Sequence, residues 1–257
     1  MIFNAPHRLA VALVPVMLGT AAWAQSDAQP LTRVGLEAES SHLSNASPDW
    51  RETTLRITRS MGKNEVKSLA LTQTNRFALD DHELSGLIAT RLSPQLTASA
   101  TASISPTHRV LAKNTFEGAL QYEFAPAWLI HGGLGRKNYN STHVNHGTLM
   151  LEHYFSDFSA SAAWKPVRSS GVGSSSAELR LAWYYSDTDS VGLIHSTGKE
   201  VTTITPGNVV LTDVRSTALQ GRHWLSRQWV VNYGLSHTRQ GSFYNRRTAR
   251  LGVEYVF

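Results

Sequence analysis

The residues of this chain that could do chemistry are mostly charged, and they recur at alternate positions of segments with a period of two. Arg33, Glu37, Glu39, Arg56, Arg76, Glu117, Glu123, His131, Lys137, Glu152, Glu178, Arg180, Arg222, Arg246, Arg250 and Glu254 fall on the polar faces of such segments. A ring of one sign at such positions would select one type of ion. Here acids and bases nearly balance, which reads as ion pairs across a watery interior or as a weakly selective path for polar solutes. Glu37 and Glu39 share a face and could serve as an acid–base pair, although solvated lining is the simpler role. A hydrolase needs a nucleophile, a base within reach and a group that orients the base. His143-Val144-Asn145-His146, with Ser141 nearby, falls in a stretch read as an outer-rim loop, and no recognised spacing links the three. The two histidines at i, i+3 would suit a metal on a helix but mean little on a loop. No catalytic residue, metal ligand set or cofactor is expected, and a hydrolase on the rim stands as an alternative.

These residues need strands to hold them. Ala249, Leu251, Val253, Tyr255 and Phe257 alternate with Thr248, Arg250, Gly252, Glu254 and Val256; Trp229, Val231, Tyr233 and Leu235 alternate with Val230, Asn232, Gly234 and Ser236. Phe116 to Phe124 and Ala177 to Tyr185 repeat the pattern, which puts one set of side chains on each face of a strand. Tight turns follow at near-even spacing: Gly62-Lys63-Asn64-Glu65, Ser93-Pro94-Gln95, Ala125-Pro126-Ala127, Ser156-Asp157, Ser186-Asp187-Thr188-Asp189 and Ser226-Arg227-Gln228. Longer connections are expected near 44–49, 76–81, 105–114, 136–146, 167–175, 197–213 and 239–244. Six turns and seven loops make fourteen strands, or twelve if the weakly patterned stretch from Leu92 to Asn114 does not cross twice. Strands of this length suit a tilted membrane crossing.

Lipid supplies no hydrogen-bond partners, so a sheet of this kind must close. The expected fold is an all-β, transmembrane, antiparallel up-and-down barrel, sealed by pairing the strand from Tyr244 with the strand from Thr32. Aromatics near the short turns, Tyr122, Phe124, Trp128, Tyr154, Phe155, Phe158, Trp183, Tyr184, Tyr185, Trp224, Trp229, Tyr255 and Phe257, read as one interfacial girdle. Trp50, Phe77, Tyr139, Trp164, Phe243 and Tyr244 read as a second, sparser one. Leu251, Val253, Tyr255 and the terminal Phe257 resemble the C-terminal signal of outer-membrane proteins, which implies transient contact with the barrel-assembly machinery. A barrel this wide cannot be filled by its own side chains, and Thr197 to Asp213 is the longest segment available to fold inward.

Composition agrees with this architecture. The 41% hydrophobic content and mean hydropathy of −0.23 suit a soluble protein equally well, because a barrel alternates lipid-facing with water-facing residues. Cysteine is absent, so no disulfide framework exists. The net charge of +5 comes without a basic run of five residues, which argues against nucleic acid. At the N-terminus, His7 and Arg8, the apolar run from Leu9 to Gly19 and Ala22-Trp23-Ala24 read as a signal peptide over 1–24, leaving a single barrel domain over 25–257.

From Ala98 onward the chain resembles the YaiO family of outer-membrane β-barrel proteins. The likeness lies in Ser103-Ile104-Ser105-Pro106 leading to Asn114-Thr115-Phe116, in the run from Trp128 to Tyr139, and in His146-Gly147-Thr148-Leu149. A weaker likeness covers the rest of the mature chain. The resemblance implies a barrel of unassigned cargo in the outer membrane, without a reaction and without functional residues to carry over. Expected partners are outer-membrane lipid and an unknown solute or polysaccharide. The leading functional expectation is a porin-like passage, with both termini periplasmic; a non-conducting scaffold or binding barrel is the runner-up.

Overall fold

A computed structural model describes residues 30–62, 64–205 and 208–257. The expected signal peptide over 1–24 lies outside the described residues. Fourteen antiparallel strands form one closed barrel in sequential order: β1 Leu31–Leu43, β2 Trp50–Met61, β3 Glu65–Arg76, β4 Leu79–Arg91, β5 Leu96–Ile104, β6 Asn114–Ala125, β7 Trp128–Asn138, β8 His143–Phe155, β9 Phe158–Ser169, β10 Val172–Tyr184, β11 Ser190–Thr205, β12 Asn208–Trp224, β13 Trp229–Gln240 and β14 Tyr244–Val256. The stretch from Leu92 to Asn114 does cross twice, as β5 and the start of β6, so the count is fourteen rather than twelve.

The seam is β1 against β14, in register from Arg33 opposite Val256 to Leu43 opposite Arg246. The Phe257 N–H donates to the Thr32 carbonyl at 2.9 Å, and the Ser41 and Thr248 hydroxyls meet at 2.7 Å. Carried through all fourteen pairings, the registers return to β1 fourteen residues further along, a stagger of one residue per strand. With a rise of ~3.3 Å per residue and ~4.8 Å between strands, that stagger sets a tilt of about 35° and a backbone radius of about 13 Å.

The alternation reads outward as an apolar coat. Leu36, Leu55, Leu69, Leu134, Leu179, Leu235 and Leu251 are all exposed. At the turn side, Trp128 stacks on His153 at 4.0 Å, and Tyr255 meets Trp229 at 5.0 Å and Phe257 at 4.7 Å edge-on. The outward part of this girdle forms as the sequence reads, but Tyr154, Tyr184 and Trp224 sit at inward register positions, opposite Ser159, Ser190 and Val230, and line the lumen instead. The second girdle does not form. Trp50 and Tyr244 sit at inward register positions and Phe77 packs against Trp50; of the expected set, Trp164 faces outward from within β9, 54% exposed.

Most of the expected long connections are also shorter than read. Those after β3 and β9 contain two residues each, Phe77-Ala78 and Ser170-Gly171, all with positive φ. That is the mirror-image turn whose twist matches a hairpin, normally signalled by Asn-Gly. Segments read as loops are hairpin extensions in which strict apolar–polar alternation lapses, so pairing continues after the signal that marks a membrane strand has stopped. Thr197 to Asp213 is the clearest case, because it belongs to the longest strands, β11 and β12, paired from Ser190 to Thr205. It is therefore wall rather than an inward-folded plug. The longest connection at this end is 105–113.

Candidate functional site

All sixteen charged residues singled out above occupy inward register positions. The pairings bring most of them into contact. Glu178, buried on β10, receives Lys165 Nζ at 2.7 Å and Arg180 Nε at 2.6 Å. Arg33 and Arg222 share Glu254 at 4.0 and 3.6 Å, and the Asn232 amide donates to the same carboxylate at 2.6 Å. Arg250 lies 3.8 Å from Glu37, and Arg76 lies 3.1 Å from Glu52. His131 Nε2 meets Glu152 at 3.0 Å. Glu123 accepts the Ala127 N–H at 3.1 Å beside a turn. Glu39, Lys137 and Arg56 face the same interior and have no ion-pair partner within contact distance among the described residues.

The loop-side mouth is the most crowded level of the lumen. Trp50, 4% exposed, lies under two cations, Arg76 at 5.2 Å and Arg246 at 5.0 Å from its ring centroid. Phe77 and Tyr244 meet the same ring edge-on at 5.1 and 6.1 Å. Beneath this cluster Ser41 and Leu43 are fully buried, so it thickens the β14–β3 wall from inside. Asp81, at an inward position of β4 and fully buried, accepts the N–H groups of Arg109, Val110 and Leu111 at 2.7–2.9 Å. That carboxylate holds the 105–113 loop against the inner side of the rim. From the β7–β8 connection, Tyr139 comes within electrostatic reach of Arg76, Glu200 and Glu83; burial pushes its phenol up to about 12, with Arg76 drawing it down and the two glutamates pushing it up. The phenol is therefore neutral at any ordinary pH. Three segments thus narrow the mouth.

Below the mouth, a cavity of about 210 Å³ lies along the β11–β13 wall, where Ser196, Ser216, Ala218 and Gly234 leave room and Arg250, Lys165 and Glu178 flank it.

The histidines correct one expectation. His143 and His146 are on β8, not on a loop, and on a strand i, i+3 places them on opposite faces. His143 is exposed outside, while His146 Nε2 lies 3.0 Å from Glu117 inside. They cannot share a metal or form a surface relay with Ser141. The pair needs Gly135 on β7, because a Cβ there would sit 2.5 Å from the His146 ring.

Some lumen residues escaped the sequence reading. Glu52 shares the face of Arg56, and Lys165 alternates with outward Trp164, so parity alone could have found both. Glu83 alternates in the same way with outward Leu84 and hydrogen-bonds to Ser103 at 2.8 Å. Glu200 lies in the stretch read as a loop and accepts from Gln240 at 2.6 Å.

The YaiO membrane β-barrel domain matches residues 31–201 of this chain. The chain belongs to the YaiO family. No curated protein matches it. Among solved structures, the YaiO barrel is similar to the CymD monoaromatic hydrocarbon channel, with 10% identity over 89% of this chain and 88% of that one at a TM-score of 0.56. A bacterial polysaccharide outer membrane secretin shares 12% identity over 91% of this chain and 99% of that one, also at 0.56. An anion-selective porin from Comamonas acidovorans shares 9% identity over 89% and 99%, at 0.51. At these identities the likeness is one of fold, that of a closed membrane β-barrel.

Proposed function

We propose that this YaiO-family barrel is a porin-like passage for small polar solutes or saccharides across the outer membrane. The observation that carries the reading is the chemistry of the lumen. A barrel of about 13 Å backbone radius encloses a belt of acids and bases that mostly neutralise one another, without a ring of one sign. Such a lining favours hydrated, hydroxyl-rich or zwitterionic solutes over single ions. The start of β1 and the end of β14 lie at the short-turn end, which we place in the periplasm, with the Trp50 mouth facing outside. Transient recognition by the barrel-assembly machinery belongs to the same reading, through Leu251, Val253, Tyr255 and Phe257.

The crowded mouth favours a second reading, a barrel too narrow to conduct that acts as a scaffold or binding surface for envelope polysaccharide. Swelling of proteoliposomes in sugars of increasing size separates the two. Passage predicts influx of monosaccharides that falls off for larger oligomers; identical behaviour with and without the protein would favour the scaffold.

A further inference from the structure

Outward-facing cations form a band at the loop-side rim. Arg51, Arg136, Arg168, Lys199, Arg215, Arg239 and Arg247 all point away from the lumen, and all are exposed. Followed through the registers, they fall within roughly 6 Å of one height along the barrel axis. Five of them, Lys199, Arg215, Arg239, Arg247 and Arg51, crowd onto β11 to β14 and β2. They stand directly above the apolar coat: Arg215 and Arg239 are four residues beyond Leu219 and Leu235 on their own strands, about 11 Å higher along the axis.

The registers make this crowding explicit. Arg215 is directly opposite Arg239, and Arg247 is opposite His237 on one side and His42 on the other. Directly opposed like charges on one face of a sheet repel. None of the five cations has an ion-pair partner among the described residues; of the acids beside them, Asp213 stands opposite Lys199 and Asp49 lies 3.0 Å from His42. A row of unpaired arginines at headgroup height, continuous with a lipid-facing coat, matches the charge of phosphate, which guanidinium binds in bidentate fashion.

We propose that the loop-side rim from β11 to β2 binds the phosphate groups of anionic lipid headgroups, seated on the Arg215–Arg239 pair. The site is outside the lumen and does not depend on solute passage.

The test uses the full mature chain refolded in phosphatidylcholine vesicles, with and without phosphatidic acid, and with spin-labelled forms of both lipids. Wild type prefers phosphatidic acid over phosphatidylcholine at its surface. The preference falls about fivefold for each arginine removed in Arg215→Gln and Arg239→Gln, down toward parity, while Arg136→Gln on the opposite wall has little effect. Stability supplies an independent sign. In pure phosphatidylcholine, Arg239→Gln relieves repulsion and raises the temperature at which heat-modifiability is lost; with phosphatidic acid present, it lowers it. An unchanged preference in the double variant overturns the proposal, as does an equal loss from Arg136→Gln. Inorganic phosphate stabilising the barrel as well as the lipid does would show an anion site without lipid recognition, and would also overturn it.

Discussion

Replacing Glu178 by glutamine changes one atom type and removes the single charge that holds two cations in the lumen wall. Lys165 and Arg180 each donate to this carboxylate, and their side chains are 16% and 25% exposed, against 5% for Glu178. Hydrogen bonds to charged groups contribute about 1.5–3 kcal/mol each, and breaking a buried pair by removing one partner costs about 3–5 kcal/mol. Lumen water rehydrates part of each cation, so the low end applies, about 3 kcal/mol. The double variant Lys165→Met, Glu178→Leu leaves only Arg180 to be hydrated and should cost less than half as much. Equilibrium urea unfolding in lipid vesicles, followed by heat-modifiability, measures both. A loss below about 0.5 kcal/mol for Glu178→Gln, or a double variant less stable than the single, would refute the reasoning that the triad is a desolvated unit.

Other perturbations follow from the same geometry. Trp50→Ala removes the ring that holds Arg76, Arg246, Phe77 and Tyr244 at the mouth; single-channel current should rise, with a stability loss of about 3 kcal/mol, and unchanged current would place the throat elsewhere. Gly135→Ala pushes the His146 ring off Glu117 and should lower unfolding stability by about 2 kcal/mol, whereas Gly132→Ala, on the outward face with open space beyond it, should be near neutral. Deleting Phe257 removes the Thr32 hydrogen bond and the end of the aromatic row, and should reduce the heat-modifiable fraction in outer-membrane preparations.

Much of this fold could be read from the sequence because lipid leaves so few options. Alternation from Thr248 to Phe257 and from Trp229 to Ser236 carries strand and facing together, lipid then demands closure, and the spacing of turns narrows the count to fourteen or twelve. Inward parity likewise gave sixteen lumen positions. Above the membrane the constraint relaxes. From Lys199 to Asp213 apolar residues such as Val201, Val210 and Leu211 fall on both parities among polar ones, so continued pairing leaves no regular alternation to read, and Phe77-Ala78 makes a left-handed turn without the usual residues. Trp50, Tyr139 and Tyr244 have the composition of an interfacial girdle; the register places Trp50 and Tyr244 inside the mouth, and the charges around Tyr139 place it there too. The pairing of Lys165 with Glu178, or of His146 with Glu117, depends on which strands are neighbours and at what stagger, information that spacing along the chain does not carry.

Planar-bilayer recording of the refolded chain from Gln25 to Phe257 tests the central claim most directly. A passage lined by mutually neutralising charges predicts stable unitary steps, weak selectivity between potassium and chloride, and larger steps for Trp50→Ala. Silence from a verified, heat-modifiable barrel, in both the wild type and the variant, would contradict it.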